Sequence, residues 1–212
     1  MSAKRVLILE GSPRMNCNSA ILAKQVAAGA EDAGAEVETI YLHYMNIQPC
    51  SACESCQGAK ELDCVIKDDM KALYPKVRAA DALVFASPIY FFTMSAQTKL
   101  FIDRCYALGC TVQKEEGEEE EAGSTYTFET DFAGKKIGIV LAYGDADPFR
   151  SGAVNALRTF QDIFHYVGAE IVGMVYGTAL EAGEIRSNSD LLKQAYELGK
   201  QLASTHLCNL KM

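Results

Sequence analysis

Four of the chain's eight cysteines lie in the segment PCSACESCQGAKELDC, residues 49–64. They are Cys50, Cys53, Cys56 and Cys64, and their spacing is C-x2-C-x2-C-x7-C. Three thiolates with two residues between neighbours can each bind one iron of a cuboidal cluster along a single tight turn, and a fourth can arrive from nearby. Thiolates held this close repel one another unless a metal centre neutralises them. The spacing therefore favours an iron–sulfur cluster in this segment, which we call the cysteine loop (residues 49–65).

Other uses of these thiols remain open. Four sulfur ligands would also suit zinc, although zinc sites usually pair two C-x2-C knuckles across a dozen or more residues. A C-x2-C pair can work as a thiol–disulfide couple, and cysteines can also pack as small apolar side chains without any metal. The four remaining cysteines are scattered, and we expect them to pack in the core, although Cys17 falls in a candidate binding loop: Cys17, Cys105, Cys110 and Cys208.

A second candidate site is GSPRMNCNS, residues 11–19, which follows a short apolar run and opens a predicted helix. It has neither the G-x-G-x-x-G of a dinucleotide site nor the lysine of a P-loop. It offers short polar side chains, a forked guanidinium and the N–H groups of a helix N-terminus, which together suit the phosphate of a mononucleotide. A simple helix N-cap at Asn18 or Ser19 is the alternative. The expected contact residues are Ser12, Arg14, Asn16, Asn18, Ser19 and Ala20.

Two later segments are candidates for the walls of the same site. In SPIYFFTMSAQ, we expect Pro88 to end a strand sharply, because its ring has no N–H for a ladder. Residues Pro88, Ile89, Tyr90 and Phe91 would then form a wall against a flat heteroaromatic ring. In AYGDADPFRSG, residues 142–152, Tyr143 and Gly144 are weaker candidates, because a plain turn explains the segment equally well.

The elements that must position these segments alternate along the chain. Apolar runs predict strands at 6–9, 37–42, 82–87, 136–142 and 171–176; helical periodicity predicts helices at 19–33, 70–79, 96–108, 154–167 and 191–202. Five strands joined by helices imply right-handed crossovers and a parallel sheet that is covered on both faces. We therefore predict a three-layer, doubly wound α/β fold with the flavodoxin-like strand order 2-1-3-4-5, in which the site is built from the loops after the first, third and fourth strands.

Length and composition suit a single domain spanning 1–212, with 49% apolar and 23% charged residues. Residues 111–133 form a predicted acidic insertion, a solvated loop whose run at 115–121 holds six glutamates and which a basic partner could also recognise. The net charge of −8 and the absence of a basic stripe argue against nucleic acid. No apolar run is long enough to span a membrane, and no signal peptide is evident, so we expect a cytoplasmic protein with reduced thiols.

Three segments together are similar to the iron–sulfur flavoproteins within the family of NADPH-dependent FMN reductases and flavodoxin-like proteins: GSPRMNCNS, PCSACESCQGAKELDCVIKDDM and RAADALVFASPIYFFTMSAQTKLFIDR. The resemblance implies FMN, a [4Fe-4S] cluster held by the cysteine loop, and a homodimer or homotetramer in which cluster and flavin meet across a subunit interface. By position, Ser12, Arg14, Asn18 and Ser19 would bind the phosphate, and residues 88–91 would line the isoalloxazine ring.

The expected function follows from combining the two redox groups. A flavin exchanges hydrides or single electrons, whereas a cluster moves one electron at a time. The chain would pass electrons between NAD(P)H or a ferredoxin-like donor and a small acceptor. The candidate phosphate-binding segment, residues 11–19 (the phosphate loop), and the cysteine loop would emerge from the same end of the sheet. The alternatives are an NAD(P)H-dependent FMN or quinone reductase without a cluster, and a redox-sensing protein without turnover.

Overall fold

The computed structural model describes residues 2–57, 63–113 and 126–204. The strands are β1 Arg5–Glu10, β2 Glu36–Tyr41, β3 Ala82–Tyr90, β4 Thr93–Met94, β5 Gly109–Gln113, β6 Tyr126–Thr130, β7 Lys136–Tyr143 and β8 Glu170–Thr178. The helices are α1 Asn18–Asp32, α2 Met70–Ala79, α3 Ala96–Arg104, α4 Pro148–Ser151, α5 Ala153–Tyr166 and α6 Ser189–Ala203. The described residues also include 3-10 turns at Leu42–Tyr44, Cys105–Leu108 and Glu184–Ser187.

The five long strands form one parallel sheet in the order β2-β1-β3-β7-β8. This confirms the predicted order 2-1-3-4-5 and the doubly wound α/β class. The short strand β4 was not predicted; it pairs antiparallel with the end of β3. The topology reverses between β1 and β3, and ligands of such sheets bind beyond the carboxyl ends of the strands at that point.

Helices cover both faces of the sheet because its central strands carry apolar side chains on both sides. In β1, Val6 and Ile8 pack in the core beneath α1 and α6, whereas Leu7 and Leu9 pack in the core beneath α2, α3 and α5. Alternation of side chains along a strand requires this arrangement, so a continuous apolar run gives a strand that is buried on both faces. The result is three layers with two cores.

The prediction that Pro88 ends β3 sharply is wrong. The strand continues to Tyr90, and Pro88 pairs with Ala142 of β7. Gly11 N–H donates to Ala86 O at 2.8 Å, so the polar backbone groups of Ala86 face β1. Since backbone groups alternate sides along a strand, Pro88 faces the same way, but β1 pairs with β3 only as far as Ala86. The missing N–H of Pro88 therefore removes no ladder hydrogen bond.

The predicted acidic insertion is not a loop throughout. Its ends contribute to β5 and β6, which pair antiparallel from Gly109 opposite Thr130 to Gln113 opposite Tyr126. The glutamate run lies outside the described residues, as does Cys208. Within the described ranges, no helix is both long and apolar enough to cross a membrane.

Candidate functional site

A crevice of about 210 Å³ opens beyond the carboxyl ends of the parallel strands. It joins the loop after β1, the end of β3, the end of β7 and the segment after β8. The structure therefore places predicted residues from three distant segments around one space. The lining residues are Arg14, Cys17, Asn18, Ser19, Pro88, Ile89, Tyr90, Ala142, Tyr143, Gly144, Ala179, Leu180 and Ala182.

The loop after β1 ends in a helix N-terminus, as predicted, but its cap is neither Asn18 nor Ser19. Cys17 is the N-cap residue, and its sulfur accepts a hydrogen bond from Ala20 N–H at 3.4 Å. The first N–H groups of a helix have no intrahelical acceptor, which leaves those of Asn18 and Ser19 at the crevice. Together with the exposed Arg14 beside them, these groups present N–H donors and a positive charge to the crevice.

A carboxyl group that sequence reasoning missed lies beneath this loop. Glu10 is 1% exposed, and its Oε1 accepts hydrogen bonds from Ser12 N–H and from the Ser19 hydroxyl, each at 2.9 Å. Its Oε2 is buried without a partner among the described residues. Burial raises the pKa of Glu10 to about 7, although the two hydrogen bonds act to lower it. The sequence signal that could have identified Glu10 is its position as a single acidic residue at the end of an apolar strand.

Asn18 lines the crevice, but its amide holds a neighbouring turn. Its Oδ1 accepts from Gly183 N–H at 2.9 Å and from Ile185 N–H at 3.3 Å, while its Nδ2 donates to Glu181 O at 2.9 Å. Both lone pairs of the amide oxygen are thus used within the protein. The side chain predicted to bind phosphate also anchors the segment after β8, and one N–H of its amide remains for a ligand.

The tip of the β3–β4 hairpin carries two consecutive aromatic residues in a left-handed conformation. Phe91 has φ 45° and Phe92 has φ 71°, a region that L-residues rarely adopt. Phe91 is 95% exposed. Asn155 Nδ2 donates to Phe92 O at 3.1 Å, which ties the tip to the start of α5. Strain of this kind persists only where neighbouring contacts hold it, and it concentrates at binding sites.

The crevice does not include every predicted contact residue. Ser12 is buried beneath it, where its hydroxyl accepts from Arg14 N–H at 3.1 Å. Ala20 is buried, Asn16 is exposed, and Phe91 projects from the hairpin tip. Conversely, the segment after β8 was not predicted to contribute. The sequence expectation covered only the loops after the first, third and fourth strands, but a fifth parallel strand ends at the same edge.

The cysteine loop shows local chemistry that suits a sulfur-ligated metal. Ala52 and Glu54, which alternate with the cysteines, have positive φ values of 51° and 58°, so the backbone turns tightly between the thiols. Ala52 N–H donates to Cys50 Sγ at 3.5 Å. Hydrogen bonds from the side chain and backbone of Ser55 and the side chain of Ser51 lower the pKa of the exposed Cys53 thiol. N–H donors to sulfur are what thiolate-ligated clusters require from their surroundings.

A buried ion pair holds the base of this loop. Arg104 Nη1 donates to Gln48 O at 2.8 Å and to Asp68 Oδ2, while Nη2 donates to Asp68 Oδ1 at 3.2 Å and to Cys64 Sγ at 3.4 Å. Neither the Arg104 nor the Asp68 side chain is accessible to solvent. Burial alone would raise the pKa of the Asp68 carboxyl, but hydrogen bonds from Arg104, Gln48 and Met70 hold it below its usual value. Sequence reasoning assigned no chemistry to Arg104.

The four thiols are not assembled as a finished metal site. Across residues 2–57, 63–113 and 126–204, no three Cys, His, Asp or Glu side chains form a group that could hold a metal ion. Cys50 and Cys53 are exposed, whereas Cys56 and Cys64 are half-buried. Their assignment as cluster ligands therefore stays a prediction.

The cysteine loop and the crevice lie at different ends of α3. Gly11 O accepts from the Ser95 hydroxyl, at the N-cap of α3, at 2.7 Å. Arg104, at the C-terminal end of the same helix, contacts the cysteine loop. Nine helical residues span about 13 Å. Both loops follow parallel strands, β1 and β2, that end at the same edge of the sheet, but the cysteine loop then reaches the end of α3 that lies away from the crevice.

A larger cavity of about 470 Å³ lies apart from the crevice. It separates the C-terminal ends of α3 and α5 from the β5–β6 ribbon. Most of its wall is apolar, and none of its described lining residues is a cation or a helix N-terminus that would bind a phosphate. Its lining residues are Cys50, Phe85, Ile102, Asp103, Cys105, Tyr106, Gly109, Thr111, Phe128, Thr130, Phe132, Ile163, Phe164, Tyr166 and Val167.

Residues 4–181 match the family described as NADPH-dependent FMN reductase. Two similar proteins bear the name iron–sulfur flavoprotein. The protein of Methanosarcina thermophila is 29% identical over 166 residues, which cover 78% of this chain and 75% of the relative. The protein of Methanocaldococcus jannaschii is 27% identical over 207 residues, covering 94% of this chain and 95% of the relative.

Solved structures support the same fold. The NAD(P)H:quinone oxidoreductase of Methanothermobacter marburgensis superposes with a TM-score of 0.66 at 18% identity, covering 97% of this chain and 100% of the other. An FMN-dependent NADH-azoreductase of Bacillus anthracis, solved in complex with FMN, superposes with a TM-score of 0.65 at 14% identity and covers 95% and 100%. At these identities the likeness concerns the fold.

Proposed function

We propose an electron-transfer role for this chain, which belongs to the NADPH-dependent FMN reductase family and is a flavin-dependent oxidoreductase. In this role it passes electrons from NAD(P)H or a ferredoxin-like donor, through FMN and a [4Fe-4S] cluster, to a small acceptor such as a quinone. The observation that carries the proposal is the crevice itself. It combines a helix N-terminus, an arginine and an apolar wall at the carboxyl edge of the sheet.

The residues around the crevice suit FMN. The first-turn N–H groups of α1 and the guanidinium of Arg14 would bind the phosphate, because both present donors to an anion. Pro88, Ile89 and Tyr90 would contact the ring, and Tyr143 would close the opposite side. When bound, the flavin accepts a hydride from a nicotinamide and releases its electrons singly or in pairs.

The cysteine loop suits a cluster in its chemistry. Cys50, Cys53, Cys56 and Cys64 would supply four thiolates, and at least two of these sulfurs already accept N–H hydrogen bonds. The names of the two archaeal relatives support the same cofactor. Because the loop and the crevice lie at different ends of α3, we propose that electrons pass between sites on different subunits of a homodimer or homotetramer.

A second candidate is an NAD(P)H-dependent FMN or quinone reductase without a cluster. It is favoured by the finding that no group of three potential metal ligands occurs within the part of the chain that the structure describes. In that case the thiols of the cysteine loop would be structural or redox-active.

The decisive experiment is anaerobic purification followed by assays of FMN, iron and acid-labile sulfide. The proposal expects one FMN and one four-iron cluster per chain, and NAD(P)H- or ferredoxin-dependent reduction of a quinone at a rate that falls when iron is removed. Stoichiometric FMN without sulfide, with the full reductase rate, would establish the second candidate instead.

A further inference from the structure

We propose that Arg104 is a positioning residue for the cysteine site, where it holds both ends of the cysteine loop and donates a hydrogen bond to the sulfur of Cys64. This inference rests on the cluster-binding function proposed above. The contacts that carry it nevertheless belong to this chain alone, so the inference can be tested separately from that function.

The location of Arg104 is unusual for its chemistry. It is the last residue of α3 and is 1% exposed, and its partner Asp68 is equally closed to solvent. Removing two charges from water costs several kcal/mol per ion, and well-packed apolar residues often serve stability as well or better. A buried pair at this place therefore indicates a role in fixing geometry.

The guanidinium closes the cysteine loop at its base. Gln48 lies two residues before Cys50, and Asp68 lies four residues after Cys64. Arg104 bonds to Gln48 O and to both carboxylate oxygens of Asp68. Gln48 N–H in turn donates to Asp68 Oδ2 at 2.9 Å, so three residues form a closed hydrogen-bonded ring. Fixing both ends lowers the ordering cost of gathering four thiolates around a metal.

One N–H of the same guanidinium reaches sulfur. Arg104 Nη2 lies 3.4 Å from Cys64 Sγ, within hydrogen-bond distance for sulfur. Hydrogen bonds to ligand sulfurs stabilise the more negatively charged, reduced state of a cluster and so raise its reduction potential. Because Asp68 neutralises the charge of Arg104, the effect on Cys64 comes from the directed N–H and not from net charge. Arg104 Nε is also buried, without a partner among the described residues.

A second arginine provides a matched comparison. Arg78 Nε donates to Asp131 Oδ2 and its Nη2 donates to Asp63 Oδ1, each at 2.9 Å. It thus bridges two carboxylates, one of them on the residue before Cys64, but among the described residues no hydrogen bond joins it to a sulfur. Replacing Arg78 by lysine removes a guanidinium fork close to the cysteine loop and spares the contact at issue.

The experiment compares wild-type protein with Arg104→Lys and Arg78→Lys. Each protein is reconstituted anaerobically with ferrous iron and sulfide. The readouts are the rate of iron release to a chelator and the midpoint potential of the cluster, followed by electron paramagnetic resonance. We expect Arg104→Lys to release iron about tenfold faster or more, the usual effect of losing such a supporting contact, and to show a more negative potential. Arg78→Lys should match wild type in both.

A second variant separates loss of folding from loss of the contact. If Arg104→Lys loses FMN or its circular dichroism spectrum, the double variant Arg104→Met/Asp68→Leu, which leaves no unpaired buried charge, takes its place. Wild-type release rate and potential in the variant that folds would overturn the inference, as would equal changes in Arg78→Lys. If wild-type protein assembles no cluster, the proposed function fails instead. Hydrogen exchange at the Gln48 amide in the metal-free proteins then tests whether Arg104 holds the two ends of the cysteine loop together. Exchange that is no faster in Arg104→Lys than in Arg78→Lys would overturn the inference.

Discussion

The hydroxyl of Ser19 donates to Oε1 of Glu10 at 2.9 Å, which joins the first turn of α1 to a carboxyl group at the end of β1. Glu10 also accepts from Ser12 N–H, so one buried side chain supports both sides of the phosphate loop. The ionisation of Glu10 is therefore coupled to the shape of the candidate anion site.

The first prediction concerns stability and pH. Burial raises the pKa of Glu10 from an ordinary 4.5 to about 7, so the folded protein holds this proton over a range in which the unfolded chain has lost it. The free energy of unfolding should then fall as the pH rises through that range, by up to about 3 kcal/mol, and change no further above it. Glu10→Gln should abolish this dependence in urea titrations between about pH 5 and pH 8. Glu31→Gln, on the exposed side of α1, should retain it; a wild-type curve that is flat over this range would refute the prediction.

The second prediction concerns the support of the hairpin tip. Gly152 has φ 79°, and a Cβ at this position would lie 2.5 Å from both Cα and O of Phe92. Gly34 has φ 87°, but a Cβ there would meet no described residue within 4 Å apart from its chain neighbours, so Gly34→Ala measures backbone strain alone. We expect Gly34→Ala to cost about 1 kcal/mol and Gly152→Ala about 1–3 kcal/mol more. Only Gly152→Ala should weaken FMN binding, measured by quenching of flavin fluorescence. Equal costs would mean that the contact with Phe92 is easily relieved.

The third prediction concerns Asn18. Asn18→Ala removes three hydrogen bonds to the turn after β8, which forms one wall of the crevice. Each such bond contributes about 1 kcal/mol, so FMN affinity should fall about tenfold or more. Asn188 caps α6 through a bond from Leu191 N–H at 3.0 Å and serves as the comparison. Asn188→Ala should lower stability by about 1 kcal/mol. Its FMN affinity should equal that of wild type, and a similar loss in both variants would count against a local role for Asn18.

The fourth prediction separates phosphate binding from ring binding. Arg14→Ala should weaken FMN by about 1.5–3 kcal/mol, because a charged hydrogen bond to the phosphate is lost. Riboflavin has the same ring without the phosphate, so its affinity should be the same in the variant and in wild type. Titration calorimetry with both ligands makes the comparison. Arg150→Ala, at an exposed position that does not line the crevice, should leave both affinities unchanged.

The layered fold was predictable because five apolar runs alternate with helical periodicity, and chain connectivity leaves few arrangements of such elements. The departures have local causes. Pro88 continues β3 because the neighbouring strand β1 pairs with β3 only as far as Ala86. The register between two strands cannot be read from the sequence of either strand alone. Gly109–Gln113 is short and stands beside a charged run, so its pairing with Tyr126–Thr130 left little trace in the pattern.

The candidate site was predictable only in part. Polar residues after a strand indicate a binding loop, and Arg14, Asn18 and Ser19 do line the crevice. Sequence could not show that the amide of Asn18 is occupied by the turn after β8, because the two lie more than 160 residues apart in the chain. The contact of Arg104 with the cysteine loop was not predicted for the same reason. An arginine at the end of a helix usually reaches solvent, and only packing reveals that this one contacts the cysteine loop.

The hydrogen bond between Asn18 and Gly183 has a consequence for biosynthesis. A ribosome delivers the turn proposed to bind phosphate early, and the far wall of the crevice only after some 160 further amino acids. A nascent chain that lacks the segment after β8 has only part of the crevice, so FMN can bind fully only after translation has passed the last parallel strand.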